Sequence, residues 1–205
     1  MKEKWRKLLP ALLVVVLAVS RIPGLLPPNF SAVYAFVFCA GVYFVGATAW
    51  WLPLGVLAAT DLALNEFFYH AGWSSLLSLL PNYLVYAAVI GWGRKLGPRA
   101  PFWKLLGGSL LGAVIFYLVT NTLAWLQISA YAKTLAGWLQ ALFTGLPGYP
   151  PTWEFFRNTL VSTGLFTALF AGAEKLASAE SPADKTAGAR EPEPELEAEP
   201  DEAEA

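Results

Sequence analysis

The chain has 205 residues, 56% of them hydrophobic, 15% aromatic and 14% charged, with a formal net charge of −1 and a mean hydropathy of +0.48. A water-soluble domain of that composition would expose too much apolar surface to remain monomeric, so the chain reads as an integral membrane protein. One cysteine, Cys39, excludes an internal disulfide, and one histidine, His70, excludes a histidine-cluster metal site; no cofactor and no metal are expected.

Six segments have the roughly 17–25 mostly apolar residues that a transmembrane helix needs: 5–22, 31–49, 50–69, 74–94, 104–126 and 155–176. The first follows Lys2, Lys4, Arg6 and Lys7, and its end at Ala18-Val-Ser20 also fits a cleavable signal peptide. The second and third are joined by a very tight turn at Thr48-Ala-Trp-Trp51. The fourth opens near Pro81, a kink-prone residue, and carries Asn82 and Tyr86. Between the fifth and sixth, residues 129–151 are amphipathic enough for an interfacial or re-entrant helix, broken by Gly145–Pro151. The expected fold is therefore an all-α six-helix membrane bundle over residues 1–176. Residues 177–205, alternating Glu and Pro from Glu191 onward, read as a disordered acidic tail.

Charge orients the bundle. The N-terminal bases and the group Arg94, Lys95, Arg99 and Lys104 fall on one side of six spans, which the positive-inside rule makes cytoplasmic. Both termini are then expected in the cytoplasm, with the protein a multi-pass one of the inner (cytoplasmic) membrane. Trp5, Trp50, Trp51, Trp92 and Trp103 fall at the inner interface, and Trp73, Trp125 and Trp153 at the outer one, as an aromatic belt should. Gly108-x-x-x-Gly112 and the series Gly164, Ala168, Gly172 read as sites of close helix approach.

Within this frame Asp61 is a lone carboxylate in an apolar run. A charge at that depth costs a few kcal/mol, about 2.5–3.5 on insertion scales, and calls for a polar partner or a polar cavity. The other unusual polar residues gather in the outer halves of the same helices. Arg21 ends the first span and Asn29 lies in the following Pro27-Pro-Asn-Phe-Ser31 loop. Asn65 follows Asp61 by one turn, and Tyr117, Asn121 and Trp125 share one stripe. Lys133 precedes the sixth span, and Arg157 and Asn158 open it. An outward cavity lined by these groups would satisfy them and hold a small polar or amphipathic molecule. Plainer roles are open for each. Asp61 can pair structurally with Arg21 or Arg157, Asn121 can bond between helices, Asn29 can serve the turn, and Lys133 and Arg157 can snorkel. The chain lacks a Gly-x-x-x-x-Gly-Lys phosphate loop, a Gly-x-Ser-x-Gly elbow and a His-Glu-x-x-His motif, so no enzyme activity and no nucleic-acid partner are expected.

The stretch Arg21-Ile-Pro-Gly-Leu-Leu-Pro-Pro-Asn-Phe-Ser-Ala-Val-Tyr-Ala-Phe-Val-Phe-Cys-Ala-Gly-Val-Tyr-Phe44 resembles a family of small bacterial membrane proteins described as transport proteins. Pro53-Leu…Asp61, Val119-Thr-Asn121, Tyr131-Ala-Lys-Thr-Leu-Ala-Gly137 and Phe155-Phe-Arg-Asn-Thr159 look like its remaining motifs. Ser162-Thr163 stand where the family pattern has Gly-Asp. That architecture is similar to the S components, the substrate-binding subunits, of energy-coupling factor importers. The resemblance implies a six-helix protein that captures a vitamin-like micronutrient from outside, then docks on a separate transmembrane coupling subunit and ATPases. Such docking uses small residues four apart on the first helix, where this chain offers Ala11 and Ala18. A scaffold whose tail recruits a cytoplasmic partner is the alternative reading.

Overall fold

A computed structural model describes residues 2–70, 72 and 78–178. Among these residues the protein is all-α, with no strand. Its seven helices are α1 (Lys2–Ser20), α2 (Val33–Tyr43), α3 (Thr48–Leu64), α4 (Leu80–Leu96), α5 (Phe102–Gln127), α6 (Leu135–Phe143) and α7 (Thr152–Ser178). A π-helical turn, Asn65–Tyr69, prolongs α3 and ends at His70 in the left-handed region, φ 48°. By length and composition α5 is long and apolar enough to cross a membrane; Ala11–Ser20 and Val33–Tyr43 are shorter apolar helices. Trp73, the 74–77 start of the fourth predicted segment and tail residues 179–205 lie outside the described residues.

The second predicted segment, 31–49, contains a helix of only 11 residues, Val33–Tyr43. Phe44 is extended, and Gly46 takes φ +61°, a conformation that costs glycine nothing, so the chain turns there directly into α3. α2 is hydrophobic all round because it is buried all round: residues 33–42 are inaccessible among α3, α4, α5 and α7. It is the core of the bundle, its Phe36 and Phe38 buried in one cluster with Leu13, Leu57 and Ile90 of neighbouring helices.

Tight packing lies where α2 meets α4. A Cβ on Gly41 would overlap the Ile90 carbonyl, and one on Gly93 would overlap the Phe38 carbonyl, so the two backbones touch. The Gly108–Gly112 pair packs as its spacing implies, Gly108 against Leu96 and Phe38 and Gly112 against Val89. The series on α7 does not: Gly164 meets only the Leu110 side chain at 3.8 Å, and Gly172 faces open space. Pro81 sits in the first turn of α4, where a missing N–H costs no helical bond, so it starts the helix rather than kinking it. The amphipathic segment between the fifth and sixth spans holds α6, whose N-cap Thr134 accepts from the Gly137 N–H at 3.2 Å.

Where α2 stops short, the chain itself fills the bundle. After Arg21, residues 22–31 descend beside α7. The Asn158 amide donates to the Pro28 carbonyl at 3.0 Å, and two turns further along α7 the Phe166 ring meets Phe30 edge-on, centroids 6.3 Å apart. Gly24 and Asn29 take left-handed backbone, φ 80° and 60°. Ser20 closes the segment, accepting from the Ala32 N–H at 3.0 Å while donating to the Leu17 carbonyl at 2.8 Å.

Candidate functional site

Arg21, just past the end of α1, reaches across to α3. One guanidinium nitrogen forms an ion pair with the Asp61 Oδ1, and the other donates to Thr60 Oγ1 at 2.8 Å. Thr60 is itself anchored to the Val56 and Leu57 carbonyls of its own helix at 2.9 and 3.0 Å. The second carboxylate oxygen of Asp61 accepts from the Tyr83 hydroxyl of α4 at 2.6 Å. Arginine and aspartate are 17% and 14% exposed, so the pair is strongly desolvated, and each charge needs the other. Of the two partners open to Asp61 in the sequence, it takes Arg21. Arg157 lies exposed on α7, over the Trp153 ring and bonded to Asn158 at 3.3 Å.

Tyr83 leads the network into an aromatic cluster. It meets Tyr86 edge-on, Tyr86 stacks on Phe116 at 5.2 Å, and Tyr34 closes on Phe116 at 4.8 Å. Beside this cluster opens a cavity of about 460 Å³, walled by Arg21, Asn29, Tyr34, Tyr69 and Tyr86 and covered by the 22–31 segment. A smaller cavity of about 80 Å³ shares Asn29 and Tyr34 with it and continues to Tyr117, Thr120, Asn121 and Thr159. A third hollow of about 190 Å³ lies on the other side of Arg21, between α1 and α3.

The remaining sequence candidates fall in three places. Asn65 lies in the π-helical turn that follows Asp61. Tyr117 stacks on Phe156 at 4.2 Å and donates to the Leu142 carbonyl of α6, while Asn121 donates to the Tyr117 carbonyl at 2.9 Å. Both therefore edge the small cavity with polar groups already engaged. Trp125 and Lys133 form a separate knot at the end of α5. The indole donates to the Ala132 carbonyl at 2.8 Å, and the ammonium donates to the Trp125 and Ile128 carbonyls, covering free carbonyls of a helix C-terminus. Asn158 holds the 22–31 segment. Sequence reasoning missed Thr60, Tyr83, Tyr34 and Tyr69. Tyr83 was findable, since it lies three residues before Tyr86 and shares its helix face. Tyr34 and Tyr69 carried no signal beyond a hydroxyl in an apolar run.

The arrangement defines a helical protein with a mixed polar and aromatic cavity, Arg21 in its wall and Asp61 paired with that arginine. The chain belongs to a family of unknown function (DUF6580), whose model matches residues 1–185. No curated protein and no solved structure matches it.

Proposed function

We propose that this protein is a six-span membrane protein that captures a small molecule in the Arg21 cavity from the extracytoplasmic side and serves as the substrate-binding component of a transport system. The observation that carries the reading is the 460 Å³ cavity itself: it has the size of a small-molecule site, aromatic walls and one placed charge. Its cover, the 22–31 segment, is held to α7 by the Asn158 amide bond to Pro28 and the Phe30–Phe166 ring contact.

Several features support the membrane setting. Large aliphatic side chains project outward from helix after helix, Val15 57% exposed, Leu84 74% and Val161 55%, a surface suited to lipid. α3 and its π-helical turn run over residues 48–69, about 33 Å at 1.5 Å per residue, enough for a bilayer core. α2 is too short to span, but it is shielded from lipid by its neighbours, so its length is no obstacle. The bases Arg94, Lys95, Arg99 and Lys104 flank the α4–α5 connection, on the side of the bundle expected to face the cytoplasm. The chain has no phosphate loop, so on this reading energy comes from a separate coupling subunit and ATPases, as the likeness to importer S components implies.

The test is native mass spectrometry of the protein extracted from its own membrane in mild detergent. The reading predicts a stoichiometric small molecule on the wild type that is lost from Arg21→Gln, with both proteins equally helical. Wild-type protein that carries no small molecule, and takes up none from a metabolite extract, would refute it.

A further inference from the structure

The third hollow gives the proposed ligand a shape. It is lined by Ala18, Ile22, Pro23, Ala63 and Leu64, with only Arg21 and Thr60 as polar groups, and those two are bonded to each other at 2.8 Å. It shares Arg21, Ile22, Pro23 and Leu64 with the main cavity. Arg21 therefore stands at the junction of a polar and aromatic chamber and an apolar groove. The groove lies between α1 and α3, where Val19 of α1, Ile22 just past it and Leu62 of α3 are exposed. Asp61 lines neither space, so the ion pair presents its cationic half to both. A guanidinium has five N–H donors, and the bonds to Thr60 and Asp61 leave others for an acceptor.

We propose, resting on the capture reading above, that the ligand is a free single-chain amphiphilic carboxylate whose head meets Arg21 in the main cavity and whose aliphatic tail lies in the groove between α1 and α3. The groove volume decides between one chain and two. At about 190 Å³ it is less than half the volume of the main cavity and suits one short aliphatic chain. The walls at Ala18 and Ala63 are small side chains on α1 and α3, so either can be enlarged to fill the groove while Arg21 itself is left unsubstituted.

The experiment titrates butanoate, octanoate and dodecanoate into the full chain in nanodiscs, for wild type, Arg21→Gln, Ala63→Phe and Ala18→Phe. Bilayer partition raises every protein's apparent affinity for long chains alike, so the quantity read is the ratio between proteins. Wild type should bind octanoate at least tenfold tighter than either phenylalanine variant does, with that ratio levelling off by dodecanoate. Both phenylalanine variants should lose the octanoate gain, with their helicity and unfolding midpoint in the same nanodiscs reporting that they fold. Octanoate binding no tighter than butanoate, or a gain that survives both fillings, overturns the groove while the capture reading stands if Arg21→Gln abolishes butanoate binding. A phospholipid retained one per protein and displaced by Ala63→Phe also overturns it, since the occupant is then bilayer lipid. If no carboxylate binds but another small molecule is held through Arg21, the amphiphile falls and capture stands. If nothing binds, both fall.

Discussion

The seam between α2 and α4 and the seam between α1 and α3 solve opposite problems. At the first, Gly41 and Gly93 bring carbonyl groups of one helix against the Cα of the other and leave no space. At the second, the helices are joined through Arg21 by an ion pair to Asp61 and a hydrogen bond to Thr60, with hollows beside them, and Tyr83 of α4 braces the carboxylate. Apolar close packing gives rigidity without a functional group. The polar joint holds charge at a fixed place beside open space, at the cost of desolvating it. The contrast teaches that the buried α2–α4 pair is the frame, and that the α1–α3 side carries the charge and the open space.

The largest effect should come from closing no cavity at all. Gly93→Val forces a branched side chain into the Phe38 carbonyl and should cost about 3 kcal/mol, read as a fall in the midpoint of unfolding in mixed micelles. Next comes Asp61→Ala, which strands the Arg21 guanidinium at 17% exposure. A loss of about 2 kcal/mol is expected, and the double change Asp61→Ala with Arg21→Met should recover part of it. If Asp61→Ala unfolds at the wild-type midpoint, the joint is not structural and the contrast fails. Tyr83→Phe removes one hydroxyl from the carboxylate and should cost about 1 kcal/mol, measured in the same denaturation series. Smallest of all is Gly172→Ala, on a helix where a Cβ meets nothing. It should change stability by less than about 0.5 kcal/mol, and a larger loss would mean that α7 packs against something beyond this bundle.

Much of this was legible in the chain. Asp61 stood out because a carboxylate in an apolar run needs a partner, and Arg21 was one of two named. The short α6 was legible from its amphipathic spacing. Choosing between Arg21 and Arg157 was not, because both lie at the outer ends of predicted helices, and only the packing of α1 on α3 decides. The close approach at Gly41 and Gly93 was hidden for a related reason. The Gly-x-x-x-Gly spacing on α5 can be seen within one helix, whereas two single glycines on different helices announce nothing until they face each other. The brevity of α2 was masked by hydropathy, since a buried half-length helix and a lipid-facing full-length one read alike over residues 31–49. The Lys133 ammonium serves helix-end carbonyls, a contact its charge alone did not specify.

The central claim is that the space beside Arg21 is a binding site. The most direct measurement is an experimental density map of the protein taken from its native membrane without added ligand, at a resolution that separates side chains. The account predicts compact non-protein density within hydrogen-bonding reach of the Arg21 guanidinium and against Tyr34 and Tyr86, with Asp61 still paired behind it. A map in which the 22–31 segment or neighbouring side chains collapse into that space, leaving Arg21 enclosed by protein alone, would contradict it.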